Sequence, residues 1–88
     1  MFDIGQTLVT LNALANLSSQ TIIAALGRHI SGDWGDGYEE DGNANDIAML
    51  EGGRLFSVYH ANTPDRTRFY IITEAHRNTT TVLLPEEY

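Results

Sequence analysis

The chain has 88 residues, enough for a single domain over residues 1–88, and no cysteine, which excludes disulfides and thiolate metal sites. Twelve acidic residues oppose five arginines and no lysine, so the net charge is −7 and the chain repels a phosphate backbone; we expect no direct nucleic-acid binding. No apolar run reaches the roughly 18 residues of a membrane span, and residues 1–10 lack the basic start of a signal peptide. We therefore expect a cytoplasmic protein with no membrane partner.

Two short helices are predicted near the start of the chain, after a possible strand. Residues 6–10 alternate weakly between apolar and polar, which indicates the strand. Leucines recur three residues apart between 11 and 17, as in one or two helical turns. Ser18 or Ser19 can cap a second helix, and Gly32 can end it. The second helix has one apolar stripe, made of Ile22, Ile23, Leu26 and Ile30.

A further short helix is predicted in the stretch "NANDIAMLEGG" (43–53). Asn43 can cap it, Asp46 lies in the first turn where the helix dipole favours an anion, and Gly52 and Gly53 stop it.

The second half of the chain changes to the period of β-strands. Residues 54–61, 68–75 and 79–85 are rich in β-branched and aromatic residues and are separated by short turn segments. The prediction is an α+β fold, with two short N-terminal helices packed on a 3–4-stranded antiparallel meander sheet. The expected core residues of the sheet are Phe56, Val58, Ile71, Val82 and Leu84.

The most unusual segment lies between the second helix and the strands. From residue 33 to residue 51 it has seven acids and no base. A calcium loop starting at Asp41 fails where the pattern needs glycine (Asp46) and glutamate (Gly52). Asp33, Asp36 and Glu39 could hold only a loose hard cation, and the three histidines share no zinc-ligand spacing. We therefore predict no metal site and no cofactor.

Catalysis is a second interpretation of the same region. His29, His60 and His76 could act as acid–base groups because histidine titrates near neutral pH. A helix followed by an antiparallel meander is also the layout of small RNases of the barnase, EndoU and colicin type, although fold does not imply function. Such enzymes need a positive cleft, which this composition does not favour. An RNase-like enzyme using His29 and an arginine remains an alternative.

An acidic docking surface is the third interpretation. Carboxylates along a loop and a short helix can face a basic groove, and charge complementarity gives fast association and partner choice. Interleaved aromatic residues are common anchors at interfaces, although Trp34 could equally close the edge of the core and the acids could be a solvated face. The predicted partner-binding residues are Asp33, Trp34, Asp36, Tyr38, Glu39, Glu40, Asp41, Asp46 and Glu51.

Three stretches resemble a family of small proteins carried on bacterial plasmids, integrative elements and phages: "RHISGDWGD" (28–36), "GRLFSVYH" (53–60) and "YIITEAHRNTTTVLLPEEY" (70–88). The family pattern is similar to His-x-x-Gly-Asp-Trp-Gly, then Gly-x-Arg, then Ile-Thr-Glu-Ala closed by Thr-Thr-x-Leu-Leu-Pro-Glu-x-Tyr. Some members carry labels tied to restriction–modification. The chain departs from the pattern at His76, where the family usually has Asp. The resemblance implies an accessory or counter-defence role on mobile DNA.

The leading hypothesis joins the acidic segment to this context. It is a non-enzymatic inhibitor, of anti-CRISPR or anti-restriction type, that binds a host protein or nucleoprotein complex through that complex's basic surface. A regulatory or structural homo-oligomer that forms through a sheet edge is a further alternative.

Overall fold

A computed structural model describes residues 2–37 and 39–88, except for the side chains of residues 39–41. The chain forms three α-helices, four β-strands and a short 3₁₀ helix in these residues. In chain order they are β1 (Gln6–Val9), α1 (Leu11–Asn16), α2 (Ser19–Ile30), α3 (Glu39–Glu51), β2 (Leu55–His60), β3 (Arg68–Thr73), β4 (Thr79–Leu83) and the 3₁₀ turn Pro85–Glu87. None of the helices in the described part of the chain has the length and apolar character needed to cross a bilayer.

The ends of α1 and α2 follow local capping rules. The Thr10 and Ser18 hydroxyls accept hydrogen bonds from the backbone N–H groups of the third helical residues, Ala13 and Thr21, each at 3.1 Å. Gly32 ends α2 at φ +84°. The Asp33 N–H then bonds to the carbonyl of Arg28, five positions earlier, at 2.9 Å, as in a Schellman motif. Of the two serines predicted as possible caps, Ser18 is the cap, and the predicted stop at Gly32 is confirmed.

The prediction for α3 is correct at its end and wrong at its start. The helix ends at Glu51, before Gly52 at φ +81°. It begins at Glu39, four residues before the predicted cap at Asn43. Asn43 and Gly42 therefore lie inside the helix, where the acidic residues before them extend it.

The sheet has the strand order β1-β4-β3-β2 and is mixed. Strands β2, β3 and β4 form the predicted antiparallel meander, with Tyr59 opposite Phe69 and Ile71 opposite Val82. β1 instead pairs with β4 in parallel. The prediction of an all-antiparallel sheet was therefore wrong for β1. The direction of β1 depends on how α1 and α2 cross the sheet, which its own four residues do not encode.

The main core lies between α1, α2 and one face of the sheet. Ile71, Val82 and Leu84 belong to it as predicted, together with Tyr59 and Phe69. Val58 is also buried, but it points to the opposite face with Phe56, because successive residues of a strand alternate. Phe56 is only half-buried there, against the rings of Tyr70 and Tyr88. The prediction of Phe56 as a core residue was therefore wrong: Phe56 is only partly buried and lies on the other face of the sheet.

Candidate functional site

The loop after α2 is attached to the rest of the molecule by its own carboxylates. Asp33 forms a two-point ion pair with Arg28, Oδ2 to Nε at 2.7 Å and Oδ1 to Nη2 at 3.2 Å. The hydrogen bond from Arg28 lowers the pKa of the Asp33 carboxyl below its ordinary value. The Oδ2 atom of Asp36 accepts a hydrogen bond from His60 Nδ1 at 2.9 Å. Two of the predicted docking acids therefore have partners within the chain.

The same loop pairs with the outer edge of β2. Val58 donates its N–H to the Trp34 carbonyl at 3.1 Å, and Asp36 donates its N–H to the Val58 carbonyl at 2.6 Å. Gly35 makes this approach possible: its φ is +83°, and a Cβ at this position would overlap the Val58 carbonyl and the Tyr59 ring. The loop thus behaves as a one-residue strand added to β2.

Asn45 of α3 covers the next part of that edge. Its side-chain amide donates to the Phe56 carbonyl at 2.6 Å, and its Oδ1 accepts the Phe56 N–H at 2.9 Å. A carboxamide presents one donor and one acceptor side by side, as a neighbouring strand would. Asn45 is 4% exposed. α3 is therefore held against β2 by a polar side chain rather than by an apolar stripe.

Trp34 lies within the molecule rather than standing free. Its half-buried ring stacks on Phe2 at 6.1 Å between centroids and meets His29 edge-on at 5.6 Å. Its indole N–H donates to Asp46 Oδ1 at 2.8 Å, which ties the loop to α3. The surroundings of Trp34 are thus intramolecular, as in the alternative in which it closes the edge of the core.

The outward side of α3 has an unusual composition. Residues spaced as one helical stripe, Asn43, Asp46, Ile47, Leu50 and Glu51, are all exposed. We call this stripe the outer face of α3. Ile47 is 56% exposed and Leu50 is 86% exposed. Two large aliphatic side chains therefore stand in solvent next to the carboxylates of Asp46 and Glu51.

Other predicted docking residues cannot be placed by side chain. Tyr38 lies outside the described residues, as do the side chains of Glu39, Glu40 and Asp41, whose backbone forms the first turn of α3. The structure thus brings Asp33, Trp34, Asp36 and Asp46 into one bonded assembly, with Glu51 at the far end of α3.

The leading catalytic candidate of the RNase-like alternative, His29, has no solvent exposure. Its Nδ1 contacts the Ser57 hydroxyl at 2.5 Å and its Nε2 contacts the Thr73 hydroxyl at 2.9 Å. Burial, with a smaller contribution from the charge of Arg77, lowers the pKa of His29 to about 4. An imidazole with both nitrogens engaged and no access to solvent cannot exchange a proton with a substrate in this conformation.

His29 belongs to a chain of buried hydrogen bonds across the whole sheet. Thr73 bonds to the Thr80 hydroxyl at 2.7 Å, and Thr80 donates to the Ile4 carbonyl at 2.7 Å. The chain therefore links β2, through Ser57, to β3, β4 and the residues before β1. Buried polar groups that are fully bonded specify one arrangement of a core. In this structure the polar chain joins α2, the strands β2, β3 and β4 and the residues before β1.

A crevice of about 260 Å³ lies between the loop, α3 and β2. Its polar side chains in the described residues are Asn43, Asn45 and Asp46, and the rest of its lining is glycine or apolar. It offers no histidine, hydroxyl or cation there. The described residues also hold no group of three His, Asp or Glu side chains arranged to bind a metal ion.

Sequence reasoning missed the contact that Asn45 makes with β2 and the exposure of Ile47 and Leu50. A helical stripe through 43, 46, 47 and 50 can be read from the sequence, but its apolar members predict a buried side. The edge-capping role of Asn45 has no sequence signal, because it depends on where β2 lies.

No family model matches the chain, and no curated protein sequence and no solved structure shows significant similarity to it.

Proposed function

We propose that the protein is a non-enzymatic inhibitor that binds a nucleic-acid-handling host complex, of restriction or CRISPR type, on that complex's basic surface. The binding region is the outer face of α3 together with the acids of residues 33–51. The observation that carries the proposal is the exposure of Ile47 and Leu50 between carboxylates on a helix that needs neither for its own packing.

Charge supports the choice of partner. No lysine or arginine occurs between Arg28 and Arg54, whereas seven acids do. A surface of this kind is repelled by acidic partners and attracted to basic ones, and protein surfaces that bind phosphate backbones are basic. An inhibitor on such a surface competes with DNA or RNA. The resemblance to proteins of mobile elements agrees with this role.

The apolar pair supports binding to a protein rather than simple charge repulsion in solution. Ile47 and Leu50 are three residues apart and lie on the same side of α3. A helix that presents two such apolar anchors on one side can fit a groove on its partner. Acids around the pair guide association, and burial of the aliphatic groups slows dissociation.

The test uses purified restriction and CRISPR effector complexes and measures their binding to labelled target DNA with increasing amounts of the protein. We expect loss of DNA binding by at least one complex. Inhibition should weaken steeply with salt, because the Debye length shortens from about 10 Å at 0.1 M to about 3 Å at 1 M.

Two variants separate charge from apolar contact. Glu39→Lys/Glu40→Lys should abolish inhibition, whereas Asp3→Lys/Glu86→Lys changes the net charge equally, at exposed sites outside the segment, and should leave it intact. Ile47→Ser/Leu50→Ser should weaken inhibition with little change in stability, because both side chains are already in solvent. Equal inhibition by the two charge variants, or inhibition insensitive to salt, would refute the proposal.

A further inference from the structure

The edge of the sheet formed by β1 carries backbone groups that no described residue bonds. Gln6 donates its N–H to the Asn78 carbonyl at 2.9 Å, and Thr10 donates to the Val82 carbonyl at 3.1 Å. The backbone N–H and C=O groups of the even-numbered residues of β1 therefore point toward β4. Thr7 and Val9 therefore point their N–H and C=O groups away from β4, and no backbone hydrogen bond outside the helices and strands of the described residues includes them.

The stretch of sequence that contains β1 carries no charge. From Ile4 to Gly27 the sequence has no acidic residue, arginine or histidine, in a chain with net charge −7. Natural edge strands are commonly protected by charged side chains, proline or a bulge. β1 has none of these, and its own Leu8 is 43% exposed. Leu11 and Leu14, on the helix that follows, are 84% and 55% exposed.

We propose that β1 pairs antiparallel with β1 of a second copy of this chain, so that two four-stranded sheets become one continuous sheet. The outward groups determine the register. If Thr7 of one copy faces Val9 of the other, both outward residues of each strand exchange their N–H and C=O groups. The two-fold axis then passes between the two Leu8 residues. This register leaves no outward backbone group of Thr7 or Val9 unpaired.

A second copy fits this edge better than another partner does. Two chains of net charge −7 repel each other, and the uncharged stretch from Ile4 to Gly27 is where they can approach. That stretch itself offers a strongly basic partner no carboxylate; the nearby Glu87 carboxylate is engaged by the Thr10 hydroxyl and the Leu84 N–H. A two-fold contact places the same patch against itself, and here that patch is neutral, apolar and ready to pair.

The absence of cysteine makes a direct test simple. In the proposed register the two Leu8 Cα atoms form a close pair about 4.5 Å apart, within the range of a disulfide. The variant Leu8→Cys should cross-link rapidly on mild oxidation. In Gln6→Cys the two thiols would lie four residues out of register, about 13 Å apart, and cross-linking should be slow. Equal rates for the two variants would overturn the register.

Sedimentation tests the association itself. We expect the wild-type chain to shift from monomer to dimer between micromolar and near-millimolar concentration. Thr7→Pro removes an outward N–H that β1 does not need for pairing with β4, as prolines at sheet edges do, and should remain monomeric with a normal fold by circular dichroism. Thr7→Val keeps the N–H and should still dimerise. A wild-type monomer at the highest concentration, or a dimer unaffected by Thr7→Pro, would refute the proposal.

Salt distinguishes this contact from the one proposed for α3. Salt screens repulsion between like-charged chains, so dimerisation should strengthen as salt rises, whereas binding through the acidic segment should weaken. The two proposals can therefore fail independently.

Discussion

The β2 edge of the sheet is covered by two elements that are not strands, whereas the β1 edge leaves its outward groups unbonded within the described residues. At β2 the Asn45 side chain satisfies Phe56, and the loop around Gly35 satisfies Val58. At β1 no backbone group of the described loops and turns bonds to Thr7 or Val9 in this way. Covering an edge can thus create a surface: closing β2 brings α3 into place and leaves Ile47 and Leu50 outside.

The largest predicted effect comes from detaching the loop that covers β2. Gly35→Ala places a Cβ against the Val58 carbonyl and forces alanine to φ +83°. We expect a loss of at least ~3 kcal/mol in the free energy of unfolding, since strain at a positive φ and backbone overlap add. Urea denaturation measures it.

The matched control is Gly27→Ala, because the residue is inside α2 and a Cβ at this position would meet no atom within 4 Å beyond its chain neighbours and the backbone of α2 itself. This change should stabilise the chain by roughly 0.5–1 kcal/mol. If Gly35→Ala were equally harmless, the pairing of the loop with β2 would not stabilise the fold.

Acid should loosen both edges together, because the hydrogen-bond chain through His29 joins them. The pKa of His29 is lowered from 6.5 to about 4 in the folded chain. Between these values the unfolded chain binds a proton that the folded chain does not, so stability falls as the pH falls. We expect a loss on the order of 3 kcal/mol from this group between pH 6.5 and pH 4.

Urea denaturation at a series of pH values measures this dependence. His29→Gln cannot take up the proton, so its stability should change less across the same interval, even if the variant is less stable throughout. An unchanged slope in that variant would mean that other groups, such as carboxyls with lowered pKa, cause the acid dependence.

The smallest loss of stability is expected from Asn45, the side chain of α3 that covers the edge of β2 at Phe56. Asn45→Ala removes both bonds to Phe56 and should cost about 2 kcal/mol, since two buried bonds are lost but water can reach the edge. Hydrogen exchange at the Phe56 amide should accelerate. Asn43→Ala, on the exposed outer face, is the control and should change little. Unchanged protection of Phe56 would show that the loop alone closes the edge.

The contrast between the edges also explains why the acidic segment was only partly interpretable from sequence. Its charge run and its helix were visible, and so was Trp34. The sequence did not show that Asp33 bonds Arg28, that Asp36 bonds His60 and that Asp46 bonds Trp34. Those partners approach only when the loop reaches β2.

The sequence by itself determined the α+β class, the caps at Ser18 and Gly32 and the three-strand meander, because these depend on hydrophobic period and turn residues close together in the chain. Tertiary structure decided the parallel direction of β1, the burial of His29 and the outward turn of Ile47 and Leu50. Each of these depends on which face of an element meets another element far away in sequence. A hydrophobic pattern identifies a possible buried side, but only packing and the pairing of backbone groups decide which side is covered.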